Sequence, residues 1–155
     1  MNQDLLSTST GPACSIRLAA PGDCDRIARL SGQLGYECTD QQVQARLVDM
    51  HNSGQHTVFV AELPGERIAG WIGVYIFRSV GMDPFAEISG LVVDEMVRSR
   101  GIGAMLLDAA EEWARGMGCS VMSVRSNVIR GRAHAFYESR AFRLVKEQKV
   151  FRKSL

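Results

Sequence analysis

Residues 91–117 read LVVDEMVRSRGIGAMLLDAAEEWARGM, and their hydrophobic period changes in the middle. Leu91, Val92 and Val93 form a continuous apolar run, the pattern of a strand covered on both faces. From there on, Ile102, Leu106, Ala109, Ala110, Trp113 and Met117 fall on one helical stripe. Between the two lie Arg98, Ser99, Arg100, Gly101, Gly103 and Ala104. The glycines stand where a helix begins. The first turn of a helix exposes unpaired N–H groups at the positive end of its dipole. Glycine lets a phosphate come close to them. The stretch therefore reads as strand, loop and helix arranged to hold a pyrophosphate.

Working outward, Ser15 to Ala19 is a short strand. Pro21 and Gly22 turn the chain. Asp23 and Asp25 then place negative charge at the start of a helix, whose stripe is Ile27, Leu30 and Leu34 and whose end is Gly35. Thr39 and Gln42 have the spacing of a capping box for a second helix, which runs to Met50 with Val43 and Leu47 inward. Thr57 to Glu62 and Ile68 to Phe77 are strands joined through Pro64-Gly65, the centre of a type II turn. Met82 to Phe85 reads as a loop. Ala86 to Val93 returns as a strand, and Gly90 within it marks a bulge or a close backbone approach. Gly116 and Gly118 stop the central helix. Ser120 to Ser126 is a strand, Arg132 to Ser139 a short helix, and Phe142 to Val145 with Gln148 to Arg152 a closing pair of strands. The class is α/β, with a mixed, mostly antiparallel sheet that is parallel at most near its middle.

The chain has 155 residues, 46% of them apolar, enough for one domain with its own core. Residues 1–13 read as a flexible polar leader without the basic start and apolar centre of a signal peptide. Residues 14–155 read as the domain. A net charge of +1 argues against nucleic acid as a partner. No apolar run is long enough to span a bilayer, so no membrane partner is expected. Cys14, Cys24, Cys38 and Cys119 have no CxxC spacing and read as reduced thiols of a cytoplasmic protein. His51, His56 and His134 make no ligand pattern with them, so no metal site is expected.

Alone, Gly101-x-Gly103 is not a dinucleotide fingerprint, because Leu106 takes the place of the third glycine. Nor is it a Walker A loop, because no Gly-Lys-Ser/Thr follows. In its setting, Arg98-Ser99-Arg100-Gly101-Ile102-Gly103-Ala104 resembles the signature R/Q-x-x-G-x-G/A of the GNAT superfamily of N-acetyltransferases. Leu91-Val92-Val93 before it, and Ser126-Asn127 and Ala133-x-x-Phe136-Tyr137 after it, match the same pattern. These motifs cover residues 86–142, and the order of strands and helices agrees from Ile16 onward.

The resemblance implies a GNAT-like sheet with a splayed central parallel strand pair, flanked by helices, and acetyl-CoA as acetyl donor. It implies that the N–H groups of Arg98 to Ala104 bind the pyrophosphate and that the backbone of Leu91, Val92 and Val93 pairs with the pantetheine arm. The Val93 N–H would face the thioester carbonyl and stabilise the oxyanion that forms there, an effect often worth about 3 kcal/mol. Arg98 and Arg100 either add charge near the phosphates or are solvated surface arginines. Tyr137 is either the acid that protonates the departing thiolate or a helix tyrosine that only packs. Glu87 is either the base that accepts the proton of the amine or a strand-end charge facing solvent. Asn127 is either a cofactor contact or a turn residue. Asp94 and Glu95 read as the acidic loop after the strand, His134 as a surface helix residue, and Trp71, Trp113 and Phe136 as core.

Two positions depart from the family. Ala141 precedes Phe142 where relatives usually have glycine, and Ser99 follows the signature arginine where glycine is common. If the first position needs φ > 0, alanine costs on the order of 1 kcal/mol; a slightly altered helix exit is the expectation. Together these readings describe an acetyl-CoA-dependent N-acetyltransferase acting on a primary amine by direct attack in a ternary complex. The acceptor is a small-molecule amine first, a protein or peptide amine second, and the two early helices with the loop at Met82 to Phe85 wall its pocket. A non-catalytic acyl-CoA-binding module is the alternative, needing neither Glu87 nor Tyr137. A homodimer is also envisaged, using the late strand edge near Val150 and Phe151.

Overall fold

The structure is a computed structural model and describes residues 13–65 and 67–155. The leader expected over residues 1–13 thus lies outside the described residues, Ala13 excepted. The chain divides into two units, one ending at Val124 and one running from Arg125 to Leu155.

The first unit is built on a sheet of β1 (Ser15–Leu18), β2 (His56–Leu63), β3 (Arg67–Ser79), β4 (Met82–Val93) and β5 (Met122–Val124), in that spatial order. All neighbours are antiparallel except β4 and β5, which run parallel. Three helices pack on it, α1 (Cys24–Leu34), α2 (Asp40–Ser53) and α3 (Ile102–Gly116). Their ends follow local chemistry. Gly35 closes α1 in the left-handed region at φ 94°. Thr39 Oγ1 accepts from Gln42 N–H at 3.2 Å while Gln42 Oε1 accepts from Thr39 N–H at 3.0 Å, the reciprocal cap of α2. Asp23 stands at the N-cap of α1 and Asp25 in its first turn, as expected, although the Asp23 carboxylate bonds no α1 amide. It is buried and takes two hydrogen bonds from Arg17, at 2.7 and 2.9 Å.

Alternation along β3 sorts the helices onto opposite faces. A Cβ on Gly70 would meet Leu106 of α3, whereas the next residue, Trp71, packs on the cluster of Cys24, Ile27, Leu30, Val43, Val60 and Val92 beneath α1 and α2. The register shift opposite Ala61 and Glu62 brings Ile68 into that same cluster. On α3 the buried positions are Ile102, Leu106, Leu107, Ala110 and Ala114, while Trp113 and Met117, expected on that stripe, are half-buried.

Three segments differ from the sequence reading. Met82 to Phe85 is strand, not loop: Ser79 pairs with Met82 and Phe77 with Phe85, whose rings stack at 4.9 Å. Pro84 is accommodated because the register skips there. β5 is shorter than Ser120 to Ser126. It pairs only with Ala86, Glu87 and Ile88, because β4 becomes irregular immediately afterwards. The closing strands at Phe142 to Val145 and Gln148 to Arg152 do not form. Their apolar residues alternate with Arg143, Lys146, Glu147, Lys149 and Arg152, and a two-stranded ribbon of such composition is marginal by itself. Val150 and Phe151 are 77% and 87% exposed and lie on no strand edge. The second unit holds one regular element, α4 (Gly131–Ser139).

Candidate active site

The irregularity in β4 decides where its backbone points. Gly73 pairs with Gly90 and Val74 with Ile88, leaving Ser89 as the extra residue of a bulge. The bulge therefore falls beside Gly90 rather than on it. Gly90 is needed, whereas at Gly73 the Ser89 hydroxyl could turn away. A Cβ on Gly73 would stand 2.5 Å from Ser89 Oγ, and one on Gly90 would stand 2.6 Å from Trp71 Cη2.

Beyond the bulge β4 continues to Val93 while its pairing with β5 has already stopped at Ile88. Asp94 N–H donates to the Ala69 carbonyl at 2.7 Å, and Val93 lies opposite Gly70. In an antiparallel ladder, successive residues turn their N–H and C=O to opposite edges. Leu91 and Val93 therefore turn theirs toward the edge that β5 has left. Val92 faces the core and is 4% exposed. The Val93 carbonyl accepts from Arg98 Nε at 3.0 Å, so Arg98 is half-buried and tied to the strand end rather than solvated.

The loop after β4 is fixed by Asp94, which is 3% exposed. Its carboxylate accepts from Met96 N–H at 3.1 Å, from Arg67 Nη2 at 3.0 Å, from Gln33 Nε2 at 3.5 Å, and from Arg26. Burial opposes its ionisation, but these donors outweigh burial and pull the carboxyl down to about 2. Gln33 also takes the Glu95 N–H on its Oε1 at 3.1 Å. Asp94 is thus a buried anchor joining α1, β3 and the loop, not merely part of an acidic loop. The sequence signal for it was slight: an aspartate two residues before the N–H it caps.

Past this anchor, Ser99 and Gly101 adopt φ 64° and 78°. Gly101 caps α3 from the left-handed region, with open space around its Cα and no capping side chain among the described residues. The amides of Ile102, Gly103 and Ala104 form the first turn, and Arg100 is exposed beside them. An uncapped first turn preceded by two left-handed residues is a suitable seat for an anion.

Glu87 is 5% exposed, so the reading as a strand-end charge in solvent is corrected. It sits in a row across the sheet, opposite Tyr75 on β3 and Ser123 on β5, and Tyr75 in turn lies opposite His56. The His56 and Tyr75 rings stack at 5.4 Å. Sequence reasoning missed His56 and Tyr75 because only the register brings them beside Glu87.

Two other candidates belong to the second unit. Tyr137 on α4 lies against Phe136 and Phe142, each ring at 5.3 Å. Burial pushes its phenol up to about 12, with Arg130 opposing. Asn127 is exposed, and its Oδ1 accepts from Ile129 N–H at 3.2 Å, the behaviour of a turn residue. Its carbonyl lies 3.0 Å from His134 Nε2. Ala141 has φ 66°, so the helix exit keeps the left-handed geometry instead of being altered to suit alanine.

Among the described residues, no group of three or more His, Cys, Asp or Glu could hold a metal ion. No helix there is long and apolar enough to cross a membrane.

Residues 26–142 match the family model of the GNAT acetyltransferases. The chain is 29% identical over 132 residues to an aminoalkylphosphonate N-acetyltransferase of Salmonella typhimurium, covering 81% of this chain and 82% of that protein. It is 28% identical over 88 residues to an aminoglycoside N(6')-acetyltransferase type 1 of Klebsiella aerogenes, covering 51% of this chain and 58% of that one. Its fold matches that of the aminoglycoside N-acetyltransferase AAC(6')-Iy in complex with CoA, with a TM-score of 0.82 at 20% identity over 95% of this chain and 99% of that chain. With a mixed five-stranded sheet, a β4 edge left by its parallel neighbour and a family match over most of its length, the chain belongs to the GNAT family of acetyltransferases.

Proposed function

We propose that the protein transfers the acetyl group of acetyl-CoA to a primary amine of a small molecule, by direct attack within a ternary complex. The observation that carries this reading is the Val93 amide, turned to the open edge of β4 just before the uncapped start of α3. The amides from Arg98 to Ala104 would hold the pyrophosphate, Leu91 to Val93 the pantetheine arm, and the Val93 N–H the developing oxyanion. Glu87, six residues along β4 from Val93, would take the proton of the amine through water. Tyr137 would protonate the leaving thiolate; the family motif supports this role, and a phenol at about 12 stays protonated at neutral pH. Asn127 would contact the cofactor through its side-chain Nδ2, leaving Oδ1 on the Ile129 N–H.

The relatives named for small amines, an aminoalkylphosphonate and an aminoglycoside, support a small-molecule acceptor ahead of a protein or peptide amine. The family match crosses the boundary at Val124, which supports reading residues 14–155 as one acetyltransferase domain. Four free cysteines suit a cytoplasmic enzyme.

Calorimetry with CoA, comparing wild type and Gly101→Val, tests the binding half; a Cβ at φ 78° distorts the loop, and affinity should fall at least tenfold. An amine panel with Glu87→Gln and Tyr137→Phe tests the chemistry, each substitution lowering kcat by about 100-fold. Tight CoA binding with turnover indifferent to both substitutions would instead favour a non-catalytic acyl-CoA-binding module.

A further inference from the structure

Val93 is the last residue of β4, and β5 has left that edge after Ile88. Its N–H and its carbonyl therefore reach the open edge together, with no strand opposite. The carbonyl nonetheless has a partner. A single 3-10 turn, Glu95–Val97, folds the chain back. Asp94 caps that turn on the Met96 N–H, and the Val97 N–H donates to the Asp94 carbonyl at 3.0 Å. Val97 is buried, and Arg98 after it returns to the strand end, where its Nε donates to the Val93 carbonyl at 3.0 Å. The same peptide group is held from its other side, because the Asp94 N–H donates to the Ala69 carbonyl at 2.7 Å. Rotating the Val93–Asp94 peptide would break both bonds, so Val93 keeps one direction for its own N–H. The bond also covers a partial negative charge. Left bare, the Val93 carbonyl would oppose an oxyanion forming at the N–H of the same residue. Among the described residues, this is the one hydrogen bond of the Arg98 side chain, and it uses Nε alone. The contact asks for an N–H at the ε position, not for a charge. Glutamine carries an N–H there, whereas the lysine nitrogen lies one bond further out.

We propose that Arg98 is a positioning residue for the transfer reaction. Its Nε–H takes the place of the missing strand partner of the Val93 carbonyl and so fixes the Val93 amide for the thioester; its side chain does not serve by lending charge to the phosphates. The proposal rests on the acetyltransferase reading above and assigns a task within that site.

The test compares Arg98→Gln, Arg98→Lys and Arg98→Met, all of which keep the main-chain amide of residue 98. Glutamine keeps the ε N–H and loses the charge; lysine keeps the charge and loses that N–H; methionine loses both. With the best amine of the panel, kcat should fall about threefold in Arg98→Gln and about 30-fold in Arg98→Lys and Arg98→Met. Affinity for CoA by calorimetry should stay within about threefold of wild type in all three. A second measurement needs no cofactor. Hydrogen exchange at the Asp94 amide of the free protein should speed up about tenfold in Arg98→Lys and Arg98→Met, and at most about threefold in Arg98→Gln. Exchange at Ile72, fully buried in β3, should not change, which separates local loosening from global unfolding. If lysine preserves kcat where glutamine does not, or if CoA affinity falls in the glutamine and methionine variants alone, the side chain works by charge and the proposal is overturned. Glutamine no better than methionine overturns it as well, and so does Asp94 exchange that none of the three changes. A wild type that binds no CoA and acetylates no amine overturns the acetyltransferase reading and this role with it. The exchange result, read without cofactor, tells that failure from the failure of the Arg98 bond itself.

Discussion

Asp94 accepts a hydrogen bond from Arg67 at 3.0 Å across the gap between β4 and β3, and Arg26 of α1 closes on the same carboxylate oxygen. The Asp94 side chain is 4% exposed, whereas that of Arg67 is 51% exposed, so the carboxylate rather than the arginine is the buried charge. Its folded-state value of about 2 lies below the 3.8 of an unperturbed aspartate. A depressed carboxyl stabilises the fold above the unfolded value, and that contribution, about 2 kcal/mol, is lost as pH falls from about 4 to about 2. Asp94→Asn should cost about 2 kcal/mol at neutral pH, because a neutral amide loses the charge-assisted bonds from Arg26, Arg67 and Met96 N–H. It should also flatten the acid limb. Urea denaturation at pH 7 and pH 3 checks both; equal stabilities of the two proteins at pH 7 would remove the anchoring role.

Gly90 and Trp71 make a second, steric prediction. A Cβ on Gly90 would come within 2.6 Å of Trp71 Cη2 and 3.0 Å of Cζ3. The indole cannot simply swing aside, because it is packed against the core cluster of Cys24, Ile27, Leu30, Val43, Val60 and Val92. Gly90→Ala should therefore destabilise by about 2 kcal/mol through overpacking. Trp71 Nε1 is buried without a hydrogen-bond partner among the described residues, so Trp71→Phe removes an orphan donor as well as ring volume. The double variant should recover part of the loss. A non-additive recovery in the denaturant midpoints of the four proteins is the expected outcome; simple additivity would mean the two sites do not meet.

What the chain discloses before folding is the local part. Thr39 and Gln42 announce the cap of α2 because both partners lie within one turn. The run Leu91 to Val93 and the glycine-bearing start of α3 are likewise contiguous, which is why the candidate cofactor loop could be read directly. Asp94 does not stand out in the sequence because its partners, Arg26, Gln33 and Arg67, are remote from it. Met82 to Phe85 looked like a loop because Pro84 and Asp83 are turn formers, yet pairing with Phe77 and Ser79 overrides them. Gly90 signalled an irregularity, but only the register shows that Ser89 is the bulged residue. The alternating tail after Phe142 shows the reverse case, a strand pattern with no ladder to join.

Ser99 and Ala141 are the two non-glycine residues with positive φ among the described residues, at 64° and 66°. They are also the two positions where glycine is usual in the family that the motifs resemble. At Ala141 the surrounding bonds hold the geometry: its N–H donates to the Glu138 carbonyl at 3.1 Å and Phe142 N–H to that of Tyr137 at 3.0 Å. A Cβ in this region costs roughly 1 kcal/mol, offset in part by the smaller entropy of the unfolded chain. Ser99→Gly and Ala141→Gly should each raise stability by about 0.5–1 kcal/mol. Either variant with a lower denaturant midpoint than wild type would show that the hydroxyl or methyl makes a compensating contact.

Tyr137 ties stability to alkaline pH. Burial against Phe136 and Phe142 lifts its phenol from 10.0 to about 12, with Arg130 pulling the other way. A raised folded-state value favours the neutral phenol, so its contribution is complete below pH 10 and is lost as pH rises from about 10 to about 12. The shift corresponds to about 3 kcal/mol. Wild type should therefore lose stability steeply across that window, and Tyr137→Phe should lose less, since phenylalanine has no proton to release. Spectrophotometric titration of phenolate absorbance, run beside denaturation curves at each pH, separates this residue from Tyr36 and Tyr75. A late-titrating phenol present in wild type and missing in Tyr137→Phe is the expected result. If no phenol ionises later than about 10, the ring is solvated, and the burial of Tyr137 against Phe136 and Phe142 is overturned.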